Sequence, residues 1–268
     1  MGDLPMIIRE TEKAFVLVQQ HDHARFSGEA AAKFRDEWFK MDKVEESPNM
    51  PAVTKEAIVL GVTEHDRGWI RPDDTPVWDD HLHAPYSFNE YPLLPKITFY
   101  RMGVDELEEK HPYSALLSSM YYSVFEDLQK SEREEVLEFV HHEEQRQQRL
   151  AILYSGVEQE TLLLHRQILQ TCDGISLYVC LNASGIGKED EHPWFKDGVP
   201  GSEPFGGGGL LQLNWIDDRT VKADPSPFAG EFVGTLREKA VPKDRIREVG
   251  IAQAYEETEW AEREIRFV

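Results

Sequence analysis

Apolar residues recur at helical spacing in three successive stretches, residues 104–127, 132–154 and 159–183, before a run of four glycines at residues 206–209 ends the pattern. A spacing of three and four puts the apolar side chains of each stretch on one face, so the stretches predict long helices that bury those faces against one another. Upstream, Phe26, Ala30, Ala31 and Phe34 repeat the pattern over residues 22–39. After the break Ser47-Pro48-Asn49-Met50-Pro51 it resumes over residues 51–67, with Pro51 suited to a first helical turn. Ser131 followed by Glu134 reads as a capped start for the stretch at 132–154. Strand-like patterns are confined to the ends: residues 6–10 and 14–18, and after the glycines residues 211–215, 220–223, 231–237 and 260–268. The fold class is therefore α+β. N-terminal strands occupy residues 1–19, a helical core residues 20–184 and a C-terminal β portion residues 185–268, and the two ends are expected to pair in one small antiparallel sheet. Between the helices, residues 71–96 are rich in proline, aspartate and aromatics and read as a long ordered loop, a length uncommon unless functional.

The 268 residues suffice for one large domain, or a domain with a small companion, without disulfides or a structural metal. Cys172 and Cys180 stand eight apart on a predicted helix, about 12 Å by the rise per residue, too far to bridge. Neither belongs to a Cys-x-x-Cys pair, so they read as small buried apolar residues. Mean hydropathy is −0.52, and no stretch approaches the roughly 20 apolar residues that span a bilayer. The start, Met1-Gly2-Asp3-Leu4-Pro5-Met6, has no basic region followed by an apolar run, and a cytoplasmic protein is expected. The formal net charge of −21 repels a phosphate backbone and no Lys/Arg-rich run offsets it, which disfavours nucleic acid as the partner. A divalent cation can still invert the field locally and admit a small anionic substrate. A homo-oligomer is left open.

Three polar groups interrupt the apolar faces. In Ile58-Val59-Leu60-Gly61-Val62-Thr63-Glu64-His65-Asp66, a continuous helix places His65 one turn from Gly61 and Val62, and Asp66 one turn from Val62. In Gln20-His21-Asp22-His23, His23 lies one turn before Phe26 and Ser27 and faces inward, whereas Asp22 suits a cap. Asp173 has Leu169 and Leu177 one turn away on either side. A carboxylate on a buried face is costly unless something neutralises it, and a cation shared by His23, His65, Asp66 and Asp173 would do so. Imidazole and carboxylate together suit Mn, Fe, Zn or Mg. The plainer readings stand beside this one: a capping aspartate with a packed histidine, a polar helix start, and a buried aspartate bonded to its neighbours.

The order His, His-Asp, Asp on three helices resembles the HD superfamily of metal-dependent phosphohydrolases, whose adjacent pair follows an apolar helix and often precedes a glycine, as in His65-Asp66-Arg67-Gly68. The chain to about residue 184 also looks like an uncharacterised bacterial family, a domain of unknown function, on Gln20, Asp22, His23, Ser27 and Gly28, then His65, Asp66, Gly68 and Trp69, then Pro85, Ser87 and Phe88. The resemblance implies an HD-like helical core. It makes His23, His65, Asp66 and Asp173 the ligands of a divalent metal ion that activates water against a phosphoryl group. It also leads one to expect a Ser-x-His in the helix after the long loop, where this chain has Ser119-Met120-Tyr121.

Other features carry less. His141 and His142 sit among Glu143, Glu144 and Arg146 and read as a solvated face, with further ligands or a proton donor as the sharper reading. His165 lies two turns before Asp173 and is a candidate support for it. His81-Leu82-His83 reads as loop surface, and Trp69, Trp78, Tyr86 and Phe88 as an aromatic lid or pocket entrance. The four glycines precede no Gly-Lys-Ser/Thr and read as a connector. Two functions follow: a metal-dependent hydrolase of a small phosphorylated metabolite or nucleotide, or a non-catalytic helical scaffold whose His/Asp cluster is a polar network or bare metal site. Tyr121 at the expected histidine and the lack of obvious phosphate-binding basic residues favour the second; the ordered His, His-Asp, Asp series favours the first, and the first is the expectation.

Overall fold

The computed structural model describes residues 6–44 and 51–268, so the sequence features at residues 1–5 and 47–50 lie outside the described residues. In chain order the elements are β1 (Ile7–Glu10), β2 (Ala14–Val18), α1 (Gln20–Ala32), α2 (Lys55–Thr63), β3 (Trp78–Asp79), β4 (Ala84–Pro85), α3 (Leu93–Glu108), α4 (Pro112–Tyr122), α5 (Glu126–Gln129), α6 (Glu134–Leu153) and α7 (Gln159–Leu181). Then follow β5 (Gln212–Trp215), β6 (Thr220–Asp224), β7 (Phe232–Pro242), α8 (Lys243–Val249), α9 (Ile251–Glu257) and β8 (Ala261–Phe267), with single 3₁₀ turns between several of them.

The sheet joins the two chain ends, as the strand patterns predict, but it is neither small nor purely antiparallel. Six strands run in the order β1-β2-β7-β8-β6-β5, and β6 pairs parallel to β8 through Thr220 opposite Arg266 and Val221 opposite Phe267. The eleven-residue β7 is the seam. Its first part pairs with β8, and Lys239–Pro242 pair with Leu17–Ala14 of β2.

Side chains alternate across this seam. Ile7 and Val18 join the large core under the helices, while Phe15, Leu17 and Val241 face a second cluster with Ile246, Ile251, Ala254 and Tyr255 of α8 and α9. Being covered on both faces explains why β2 reads as an unbroken apolar run. α1 lies on β7 where Gly234 leaves space: a Cβ there would stand 2.6 Å from the Phe26 ring.

Several helix boundaries differ from the sequence expectation. The first helix ends at Ala32, and Asp36–Phe39 form a 3₁₀ turn. Pro51 lies before α2, which Thr54 caps by accepting from the Ala57 amide at 3.2 Å. The expected helix over residues 104–127 is three pieces, broken before Pro112 and after Tyr122. Arg133, not Ser131, is the N-cap of α6; the Ser131 hydroxyl accepts from the Arg133 amide at 3.3 Å. No described helix is long and apolar enough to cross a membrane.

Candidate metal centre

α1 delivers His23 from its first turns, and the approach of α1 to α2 decides where His23 points. Gly28 makes that approach close: a Cβ on it would stand 2.0 Å from Thr63 Oγ1. α2 ends at Thr63, earlier than helical periodicity suggests, so His65 and Asp66 sit on the turn beyond it rather than on the helix. Asp66 has φ −100° and ψ 24°, in the sparsely allowed bridge region. The turn is held against α3 through Gly68, where a Cβ would meet the Phe99 carbonyl oxygen at 2.0 Å. Asp173 stands in the middle of α7 and Ser176 one turn beyond it.

These elements bring all four residues to one point. His23 Nε2 lies 2.9 Å from Asp173 Oδ1 and His65 Nε2 lies 3.2 Å from the same oxygen. Asp66 Oδ2 lies 3.4 Å from His65 Nε2 and 3.9 Å from His23 Nε2. The ligand atoms of His23, His65 and Asp66 all fall within 4.8 Å of one another. All four residues are buried.

The hydrogen bonds on the far side of each ring fix its tautomer. His65 Nδ1 is 2.6 Å from the Val62 carbonyl, which can only accept, so Nδ1 carries the proton. That carbonyl is also one that the end of α2 leaves without a helical partner. Ser176 donates its one proton to the His23 carbonyl at 2.9 Å, so its oxygen accepts from His23 Nδ1 at 2.7 Å. Each neutral imidazole therefore turns the lone pair of Nε2 toward carboxylate oxygens.

Lone pair against carboxylate is repulsive, and two things relieve it: protons on the rings or one shared cation. Burial opposes charge on His65, yet Asp66 and Asp173 outweigh it and its pKa is pushed up to about 9. Burial likewise lifts the Asp66 carboxyl above its usual range against the pull of both imidazoles. For Asp173 burial works in the same upward direction, but the bonds to His23 and His65 win and hold it far below that range. A divalent ion satisfies the same donors without protons. Ligands about 2.1 Å from a metal stand about 3–3.5 Å apart, close to the 2.9–3.9 Å spacings here. Two imidazoles and the Asp66 carboxylate fit a first-row divalent ion, with the Asp173 carboxylate bonded to both rings beside them.

Tyr121 occupies the position where a histidine is expected. Its hydroxyl donates to Asp173 Oδ2 at 2.7 Å, and burial, reinforced by Asp173, keeps the phenol well above its ordinary pKa and so protonated. It orients the carboxylate rather than adding a nitrogen ligand. Tyr122 donates to the His65 carbonyl and stacks on Tyr100 at 4.0 Å. Behind α1, Asp73 accepts from the Gln20 amide at 2.5 Å and so caps the helix that carries His23. Burial lifts its carboxyl well above the usual range.

The cluster forms one wall of a cavity of about 590 Å³, whose lining also includes Phe88, Lys96, Tyr100, Phe125 and Trp194. Lys96 is a residue that sequence reasoning passes over. Its signal is a lone cation on the face of α3 that also carries Tyr100 and Gly103, and it falls in a segment that reads as loop. The histidines that read as further ligands or supports lie elsewhere. His141 is exposed and paired with Gln145, and His142 meets Arg146. His165 is held by Tyr113 and the Phe39 carbonyl, both at 2.6 Å, rather than by Asp173. Trp69 is fully buried among Tyr91, Phe99 and Tyr100, not at an entrance. Cys172 and Cys180 are free and buried.

The family described as "Protein of unknown function (DUF3891)" matches residues 6–243. The chain belongs to this family. The match takes in every residue of the DUF3891 cluster and all of β7, and stops at Lys243, the first residue of α8. No curated protein and no solved structure matches the chain.

Proposed function

We propose that this chain is a metal-dependent phosphohydrolase with an HD-like helical core, acting on a small phosphorylated metabolite or nucleotide. The observation that carries the reading is the pair of Nε2 lone pairs and two carboxylates turned to one point on a cavity wall. His23, His65, Asp66 and Asp173 are the residues that would hold the ion, in the His, His-Asp, Asp order of the HD superfamily. When bound, such an ion supplies a polarised phosphoryl oxygen and a water of lowered pKa. The chain's own groups do the rest. Ser176 and the Val62 carbonyl keep both rings in the ligating tautomer, Tyr121 fixes Asp173, and the two carboxylates offset the ion's charge. Tyr100, Phe125 and Leu177 line the cavity beside the cluster.

Tyr121 at the expected histidine favours a second reading, a non-catalytic scaffold with a bare metal site. One experiment separates them. Protein purified without chelator is analysed for metal beside His65→Ala, then screened against phosphomonoesters and nucleotides with and without chelator. The hydrolase reading predicts about one divalent ion per chain, lost in the variant, and chelator-sensitive phosphate release. Bound metal with no turnover favours the scaffold, and metal-free wild-type protein contradicts the hydrolase and leaves the cluster a buried polar network.

A further inference from the structure

Lys96 is the one lysine or arginine among the described residues lining the cavity that holds the His/Asp cluster. It is 6% exposed. An ammonium buried to that degree needs an anion at close range. Its ion partner is Asp127, at 3.5 Å, whose side chain is 44% exposed. That distance is longer than the roughly 2.7–2.9 Å of a charge-assisted bond, so Lys96 keeps donors for a stronger partner inside the cavity. A divalent ion and the carboxylates of Asp66 and Asp173 cancel in charge. Lys96 is then the positively charged side chain of the lining that an incoming phosphoryl group meets, drawn from its long contact with Asp127.

The rest of the lining carries two aromatic rings. Phe88 and Trp194 stand edge to face with centroids 6.1 Å apart, and Trp194, 42% exposed, forms part of the rim. Asn89 and Gln170 place amides beside them. Glu126 and Asp127 lie on the same lining, so an anionic chain longer than one phosphoryl group would run its further charges onto carboxylates. The volume of about 590 Å³ falls in the ~300–1,000 Å³ range of small-molecule sites.

We infer that the cavity takes a phosphomonoester with a flat, unsaturated body, of the nucleoside monophosphate class. Its phosphoryl group sits at Lys96 beside the His/Asp cluster and its body packs against Phe88 and Trp194. This rests on the metal-dependent reading of the same site and narrows its substrate.

The test is calorimetric titration of the metal-loaded full chain with three probes: inorganic phosphate, the non-hydrolysable 5′-phosphonate of adenosine, and ATP. Metal content is measured on the same samples. The phosphonate is expected to bind more tightly than either phosphate or ATP. Lys96→Gln is expected to keep its metal and to weaken both phosphate and phosphonate by about tenfold or more, the scale of a lost charged hydrogen bond. Lys96→Arg should retain most of the affinity. Trp194→Ala, at the rim, should weaken the phosphonate alone. Should Lys96→Gln not fold, Lys96→Met replaces it, with the same losses expected. Wild-type affinity in a metal-loaded Lys96→Gln or Lys96→Met, unchanged phosphonate binding in Trp194→Ala, or tighter binding of ATP each overturns this inference and leaves the metal reading standing. A wild-type chain that holds no metal sinks the parent reading, and this one with it.

Discussion

Two hydroxyl groups, on Ser176 and Tyr121, decide how the cluster presents itself. The Ser176 oxygen accepts from His23 Nδ1, and Tyr121 occupies Asp173 Oδ2. Tyr121→Phe frees one carboxylate oxygen of Asp173 without changing the volume of the core. Metal affinity is expected to fall about 10–100-fold, the usual cost of losing such a supporting bond, and Tm to fall as well, since a buried carboxylate loses a donor. Ser176→Ala leaves a buried N–H without an acceptor. It should cost about 1–3 kcal/mol in urea unfolding and weaken the metal as well. Competition with a chromogenic chelator reads both affinities, and an unchanged value in both variants contradicts the roles given to these hydroxyls.

At the scale of elements, the approach of α1 to α2 sets the distance between His23 and His65. Ala at position 28 would gain up to about 1 kcal/mol of helix propensity. The Cβ would also stand 2.0 Å from Thr63 Oγ1, and overpacking of that kind costs about 1–3 kcal/mol. Gly28→Ala is therefore expected to lower stability and to loosen metal binding. A stabilised Gly28→Ala with full metal affinity would show that this contact does not position the site.

The sequence makes part of this arrangement legible. Asp173 stands out because it interrupts the apolar face of a helix long enough for its period to be certain, and His23 because it points the same way as Phe26. His65 and Asp66 are legible as a pair, but the turn that aims them is not. α2 stops at Thr63, and the turn after it is seated by the close approach of Gly68 to the Phe99 carbonyl, a contact between segments far apart in the chain. Lys96 hides in residues that read as loop. The seven-residue α8 and α9 are too short for their period to emerge from a charged segment, and the parallel pairing of β6 with β8 depends on a return from far along the chain.

For the whole molecule, protons and metal compete for the same donors, which gives folding a pH signature. The pKa of His65 in the folded chain, about 9, is above its ordinary value of 6.5. Its contribution to the stability of the metal-free chain is therefore full below about pH 6.5 and is lost as pH rises toward 9. The loss is on the order of 3 kcal/mol. A bound ion takes the place of that proton, so the Tm gained on loading with metal should widen between pH 6 and pH 9. A gap that stays constant or narrows over that range would mean that His65 does not exchange proton for metal.

The most direct measurement is an anomalous difference map at a metal absorption edge, from crystals of protein grown and purified without chelator. The structure predicts one strong peak within coordinating reach of His23 Nε2, His65 Nε2, Asp66 and Asp173. A map with no peak there, from crystals supplied with Mn, Fe or Zn, would contradict it.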